Sequence, residues 1–277
     1  MQSEGQNTPN VVIKLGTSTL TCGDHPNLDL IAAFCEELKQ LRERGFNPVV
    51  VTSGAVQLGI PSCAFNCGAP VTRAGFAAVG QVRLMTAFAE CLATHGYWPA
   101  QVLLKREDFF CERTRARLTD AIESLSRSNA IVLINENDVT STDRGFLSND
   151  ELGAAVAGLL NVGQLLIFTD RPGVYEADPR IHPQARLFGV IGAWDERLLT
   201  AASDVPGAAG TGGMKSKVQA ARAVAEHGAV TVITRYIPHA LRRIADGERL
   251  GTWIIPDTTA DLSPSIINAE LEEVYRS

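Results

Sequence analysis

Two stretches of this 277-residue sequence carry side chains suited to chemistry on an anion. The first is the loop Gly207-Ala208-Ala209-Gly210-Thr211-Gly212-Gly213, which feeds Met214-Lys215-Ser216-Lys217. Glycines let backbone N–H groups approach an anion, and a following helix adds the positive end of its dipole. Lys215 and Lys217 fall in that helix's first turn with no acid beside them. Cations there oppose the macrodipole, at about 0.3–1 kcal/mol each. Either they are solvated lysines tolerating a small penalty, or a bound polyphosphate neutralises lysines and dipole together. The second stretch, Ser148-Asn149-Asp150-Glu151, is equally double. Ser148-x-x-Glu151 is a capping-box pattern. Asp150 alternatively stands where one carboxylate can hold two active-site lysines. No Gly-Lys dipeptide occurs, which removes the P-loop, and no G-x-G-x-x-G follows a strand, which weakens a dinucleotide site.

Such side chains need elements to hold them. Apolar, β-branched runs at 11–15, 48–51, 100–104, 130–134, 164–168, 230–233 and 251–255 predict strands. Between them, 3.6-residue periodicity predicts helices near 28–41, 72–94, 115–126, 149–160, 214–227 and 238–245. Asn27 is placed to cap the first of these and Gly45 to end it. The segment 171–209 is mixed and should hold loops and short strands. Strands that read as continuous apolar runs and alternate with helices predict an α/β fold with a mainly parallel sheet covered on both faces. In such sheets ligands bind outside the carboxyl ends of the strands. Four strands end in polar or glycine clusters: Lys14-Leu15-Gly16-Thr17, Thr52-Ser53-Gly54, Asn135-Glu136-Asn137-Asp138 and Thr169-Asp170. Four such clusters at strand ends point to one shared site.

The composition narrows the partners. Lys and Arg total 25 against 31 Asp and Glu, for a net charge of −6. An acidic chain lacks the cationic surface that sequence-independent nucleic-acid binding needs, but it can hold a small polyanion in a local cationic pocket. No continuous apolar run reaches the roughly 18 residues of a spanning helix. The polar N-terminus carries no signal pattern, so a cytoplasmic protein without membrane or nucleic-acid partners is expected. All six cysteines lie in the first 111 residues without a C-x-x-C pair, as reduced thiols would; Cys63 and Cys67 lack the second pair a zinc site needs.

Taken in order, the motifs resemble the glutamate 5-kinases of the amino acid kinase superfamily. They are Lys14-Leu15-Gly16-Thr17-Ser18, Thr52-Ser53-Gly54-Ala55, Ala78-Val79-Gly80-Gln81, Asn135–Asp138, Thr169-Asp170 with Gly173-Val174-Tyr175 and Asp178-Pro179-Arg180, and Gly210–Met214 with Lys217. The resemblance implies a three-layer α/β/α sandwich over 11–256, with the acceptor in the N-terminal half, nucleotide in the C-terminal half, and tails at 1–10 and 257–277. It implies ATP-dependent phosphorylation of the L-glutamate γ-carboxylate, with Mg²⁺ carried by ATP and no direct metal ligand. By the same resemblance Lys14, Lys217 and Asp150 are catalytic. Ser53, Gly54, Asn135, Asp138 and Asn149 bind the acceptor. Lys14, Gly16, Thr169, Asp170, Thr211, Gly212, Gly213, Met214 and Lys217 bind nucleotide. Proline as feedback inhibitor, a γ-glutamyl phosphate reductase as partner and a homo-oligomer are further implications. The family's Gly-Asp-Asn-Asp reads here as Leu147-Ser148-Asn149-Asp150, with one acid fewer. That departure keeps open an acceptor such as aspartate, N-acetylglutamate or carbamate, and a silent ligand-sensing subunit is a further alternative. The chain is short for the PUA domain that many bacterial relatives carry.

Overall fold

A computed structural model describes residues 9–63, 70–141, 145–146, 148–203 and 213–256, the side chains of 61–63 and 203 excepted. The sequence-predicted loop 207–212 and both tails, residues 9 and 10 apart, lie outside these residues, as does Cys67. In chain order the elements are β1 (Asn10–Leu15), α1 (Thr17–Leu20), β2 (Thr21–Cys22), β3 (His25–Pro26), α2 (Leu28–Glu43), β4 (Asn47–Val51), α3 (Ala55–Cys63), α4 (Arg73–Ala93) and β5 (Trp98–Leu104). They continue as α5 (Glu112–Ser126), β6 (Ala130–Glu136), α6 (Asn149–Leu159), β7 (Gln164–Thr169), β8 (Val190–Gly192), α7 (Glu196–Ser203), α8 (Met214–Ala225), β9 (Val230–Arg235), α9 (Ala240–Ala245) and β10 (Thr252–Ile255).

Eight strands form one sheet in the order β5-β6-β4-β1-β7-β9-β10-β8. Every neighbouring pair is parallel except β9 with β10. Alternate strand residues face two separate cores. Val12, Leu165 and Ile167 join α5, α6, α7 and α8 on one face. Ile13, Leu166 and Phe168 join α2, α4 and α9 on the other. The result is the three-layer α/β/α sandwich expected from the alternating pattern. β1 sits mid-sheet: the chain leaves it toward β4 and β6, then returns to its other side with β7. The carboxyl ends around this switch point are therefore close together, which makes a crevice there.

Helix ends follow local chemistry. Asn27 Oδ1 accepts from Leu30 N at the start of α2, and Gly45 takes φ +84° just past its end. Thr72 Oγ1 accepts from Gly75 N at the start of α4. By length and composition α4 is long and apolar enough to cross a membrane, contrary to the run-based reading of the sequence. Gln81, Arg83 and Glu90 interrupt its apolar run, which is why that reading missed it. Its buried residues, among them Ala77, Gln81, Leu84, Phe88 and Leu92, recur at helical spacing on a face turned into the protein. β8 is a short strand of the kind expected within 171–209; α1, α3, α7 and the β2–β3 hairpin were not expected, each being nine residues or fewer and too short for a periodic signal.

Candidate active site

The site assembles at the carboxyl end of β1. Lys14 shares a parity with Val12 and so points to the α6–α8 face. α6 begins at Asn149, so its second residue, Asp150, is aimed at the strand end. Lys14 Nζ lies 2.6 Å from Asp150 Oδ1, and Lys217 Nζ, from the first turn of α8, lies 3.1 Å from Asp150 Oδ2. All three are buried, at 5%, 6% and 0% exposure for Lys14, Lys217 and Asp150. The Ser216 hydroxyl lies 2.8 Å from Asp150 Oδ2 and 2.8 Å from the Gly213 carbonyl.

Two ammonium groups on one carboxylate make a buried trio with net positive charge. Burial is the largest influence on Lys14 and pushes its pKa down; Asp150 opposes this and Lys217 adds to it, so the lysine stays below its usual range. Burial pushes the Asp150 carboxyl up, but Lys14, Lys217 and Ser216 together outweigh it and hold the group below the ordinary carboxylate range. The asymmetry follows from the count: the acid faces two cations, whereas Lys14 faces one anion and another cation. Transferring phosphoryl oxygens are the class of ligand such a centre attracts.

Ser148 and Asp150 do different jobs at the start of α6. Ser148 Oγ accepts from Glu151 N and caps α6, while Asp150 holds the lysines. The two lysines of the α8 turn part company, however. Lys217 joins the trio and Lys215 is exposed, because adjacent odd positions on a helix lie about 200° apart. Sequence order alone had grouped Lys215 with Lys217.

Beside the trio lies a polar set on the β4–β6 side. Asn149 Nδ2 lies 2.9 Å from the Thr52 carbonyl, 2.9 Å from Ser53 Oγ and 3.2 Å from Asn135 Oδ1. Ser53 and Asn135 are buried and Asn149 is half-buried. Gly54 takes φ +94°, a left-handed turn that lets the strand end swing into α3. Asp138, two residues past β6, has no hydrogen bond to this set among the described residues. Burial raises its carboxyl pKa, and Arg73 opposes that. Glu136 accepts from Ser141 Oγ and Phe146 N, closing the ends of the loop after β6.

On the β7 side, Thr169 Oγ1 donates to Asp170 Oδ1 at 3.0 Å. Gly16 N donates to the Phe168 carbonyl at 3.2 Å. That N–H is therefore engaged between β1 and β7. Gly213 is the N-cap of α8, and Met214, its first residue, is buried. Thr211 and Gly212 lie outside the described residues. Asp178, buried beside Arg180, is held at about 2 by the hydrogen bonds and charge of that guanidinium. Sequence reading gave no role to Ser216 or Gln81. Ser216 lay inside the quoted α8 turn, and Gln81 lay inside a quoted motif.

Comparison with known proteins bears on the family and the fold. The model of the amino acid kinase family matches residues 10–235. A glutamate 5-kinase from Chromobacterium violaceum is 40% identical over 258 residues, 90% of this chain and 68% of its own length. Its counterparts in Chromohalobacter salexigens and Pseudomonas putida (strain W619) are 39% and 36% identical, with 66% and 70% of their lengths covered. The chain thus spans about two thirds of these relatives. Among solved structures, carbamate kinase from Giardia lamblia bound to AMP-PNP superimposes with TM-score 0.66 at 17% identity, over 91% of this chain and 99% of that one. A UMP kinase from Bacillus anthracis gives 0.62 at 15% identity, over 90% and 97%. At such identities the superpositions speak for the fold alone. Motifs, fold and relatives agree: the chain belongs to the amino acid kinase family, on its glutamate 5-kinase branch.

Proposed function

We propose that this protein transfers the γ-phosphoryl group of ATP to the γ-carboxylate of L-glutamate, the first step of proline synthesis from glutamate. The observation that carries the reading is the buried Lys14–Asp150–Lys217 trio set beside the Ser53–Asn135–Asn149 cluster. A carboxylate is already a nucleophile, so no general base is required. Its oxygen bonds to the γ-phosphorus as the bond to the β-γ bridging oxygen breaks, leaving γ-glutamyl phosphate and ADP. Catalysis is then positioning and charge stabilisation of a loose in-line transition state. Lys14 and Lys217 stabilise the equatorial oxygens, and Asp150 fixes both ammonium groups. Ser53, Gly54, Asn135, Asp138 and Asn149 bind glutamate, with Asp138 and the Asn149 carbonyl suited to the α-ammonium group. Gly16, Thr169, Asp170, Thr211, Gly212, Gly213 and Met214 line the nucleotide.

The donor set suits magnesium borne by the nucleotide. Among the described residues no three His, Cys, Asp or Glu side chains converge, and the buried cations take phosphate oxygens directly. Mg²⁺ carried by the nucleotide would supply further neutralisation of phosphate charge, beside the ammonium groups of Lys14 and Lys217. We place the kinase domain at 11–256, acceptor half first, in a cytoplasmic homo-oligomer inhibited by proline. A reductase would consume the labile acyl phosphate. Kinship with the glutamate 5-kinases supports these assignments.

The test is ADP release by the purified full chain with ATP and Mg²⁺ against L-glutamate, L-aspartate, N-acetylglutamate and carbamate, each with and without proline. Glutamate should be preferred and proline should inhibit. Preference for another acid, which the Ser148 departure makes worth measuring, overturns the substrate assignment.

A further inference from the structure

The Ala78-Val79-Gly80-Gln81 motif lies on α4, away from the trio, and the mechanism above gives it no part. Gln81 is nonetheless a buried amide, 7% exposed, in an otherwise apolar helix face. Its Oε1 accepts from Asn135 Nδ2 at 2.9 Å, and its Nε2 donates to Gln101 Oε1 on β5 at 3.1 Å. Asn135 Oδ1 in turn accepts from Asn149 Nδ2. Four amides therefore stand in series, each donating to the next: Asn149, Asn135, Gln81, Gln101.

The direction of this series is set by the main chain. Asn135 Oδ1 also accepts from Glu136 N at 2.9 Å, and a backbone N–H can only donate. Asn135 therefore presents its NH₂ to Gln81, which must answer with its carbonyl. At the other end Asn149 Nδ2 meets the Thr52 carbonyl, which can only accept. Among the described residues, Asn149's partners all sit on its NH₂. Among the described residues none donates to its Oδ1, which suits a donor from elsewhere, as an α-ammonium group would be. A reversed amide would repel that group.

We infer that Gln81 is a positioning residue for the acceptor: through Asn135 it holds the Asn149 amide with its carbonyl oxygen presented to the substrate's α-ammonium group. This rests on the proposed function for the identity of the acceptor. Gln81 touches no substrate in this scheme. Removing it leaves the buried Asn135 NH₂ without an acceptor and loosens the Asn135 and Asn149 side chains, which keep only their contacts to Glu136 N, the Thr52 carbonyl and Ser53.

The experiment compares steady-state kinetics of the wild type, Gln81→Met, Gln81→Glu and Gln101→Ala. L-glutamate is varied at saturating ATP and Mg²⁺, and ATP is varied at saturating glutamate, with glutarate as the acid lacking an α-ammonium group. Gln81→Met should raise the glutamate KM about tenfold and reduce the preference for glutamate over glutarate, with the ATP KM within about twofold. Gln81→Glu keeps the acceptor oxygen for Asn135 and should recover most of that preference. An unchanged preference in Gln81→Met, or glutamate and ATP KM rising in parallel, overturns the inference. Should Gln81→Met fail to fold, Gln101→Ala at the exposed end decides: a glutamate KM raised about two- to threefold supports the series, and an unchanged one overturns it. A wild type that turns over another acid refutes the glutamate assignment instead, and the same comparison is then made with that acid and its des-amino analogue.

Discussion

At the scale of single residues, Asp150 has the most consequences. It is a fully buried carboxylate with two ammonium partners, and each lysine depends on it for its place. Lys217→Ala removes one donor from a water-poor site, so kcat should fall by about 10²–10³ with a native circular dichroism spectrum. Burial holds the Lys14 pKa below its usual range, and the protonated form is the one that stabilises phosphoryl oxygens. The alkaline limb of kcat should therefore lie below the ordinary lysine value of about 10.4, read from a pH–rate profile. Asp150 has the opposite linkage. Its folded pKa is depressed, so its contribution to stability is complete above about pH 4 and fades as pH falls through the lower folded value. Urea midpoints of wild type and Asp150→Asn should accordingly differ at neutral pH and converge in strong acid.

At the scale of elements, α3 and α4 cross at glycines. A Cβ on Gly80 would lie 1.7 Å from the Ala55 carbonyl oxygen, and one on Gly59 would lie 1.8 Å from that of Phe76. Backbone stands on both sides, so no rotamer change relieves the clash. Gly80→Ala should cost about 1–3 kcal/mol and lower Tm in a thermal melt. α3 also continues from the Thr52-Ser53-Gly54 strand end, so the glutamate KM should rise in the same variant. The four residues of the Ala78–Gln81 motif thus combine a close helix crossing with a buried amide one residue later. As a motif resembling the family's it was legible in the sequence. Its two jobs were not, because both partners, Ala55 and Asn135, come from other elements.

At the scale of the molecule, the sheet runs unbroken from β5 to β8, so the N- and C-terminal halves of the chain share one sheet and two continuous cores. Distant parts of the chain are also joined through Glu37 of α2, a buried carboxylate. It accepts from the Tyr236 hydroxyl and from the backbone N–H groups of His239, Leu241 and Arg242. Tyr236 packs edge-on against Phe168, at the end of β7, with ring centroids 5.3 Å apart. Burial and Glu37 push the Tyr236 hydroxyl pKa up, so the group stays a donor. Glu37→Ala strands these donors and should cost about 2–4 kcal/mol, as a lower urea midpoint in a single transition. Two separate transitions would show that the two halves unfold independently.

The sequence by itself determined the fold class, the principal strands and the strand ends that make the site. Lys14, Ser53, Asn135 and Thr169 were legible because periodicity ends each apolar run at a fixed residue, and a parallel sheet places such ends on one edge. It also carried the family, since the order of motifs along the chain is itself sequence information. Tertiary structure decided which of those residues touch. It gave Asp150 to both Lys14 and Lys217 and left Lys215 in solvent. It engaged the Gly16 N–H with β7, and it linked Gln81 to Asn149 through Asn135. The physical reason is range. Propensity, capping and burial patterns act over a few neighbouring residues, whereas the shared carboxylate, the helix crossing and the direction of an amide series depend on groups tens to hundreds of residues apart.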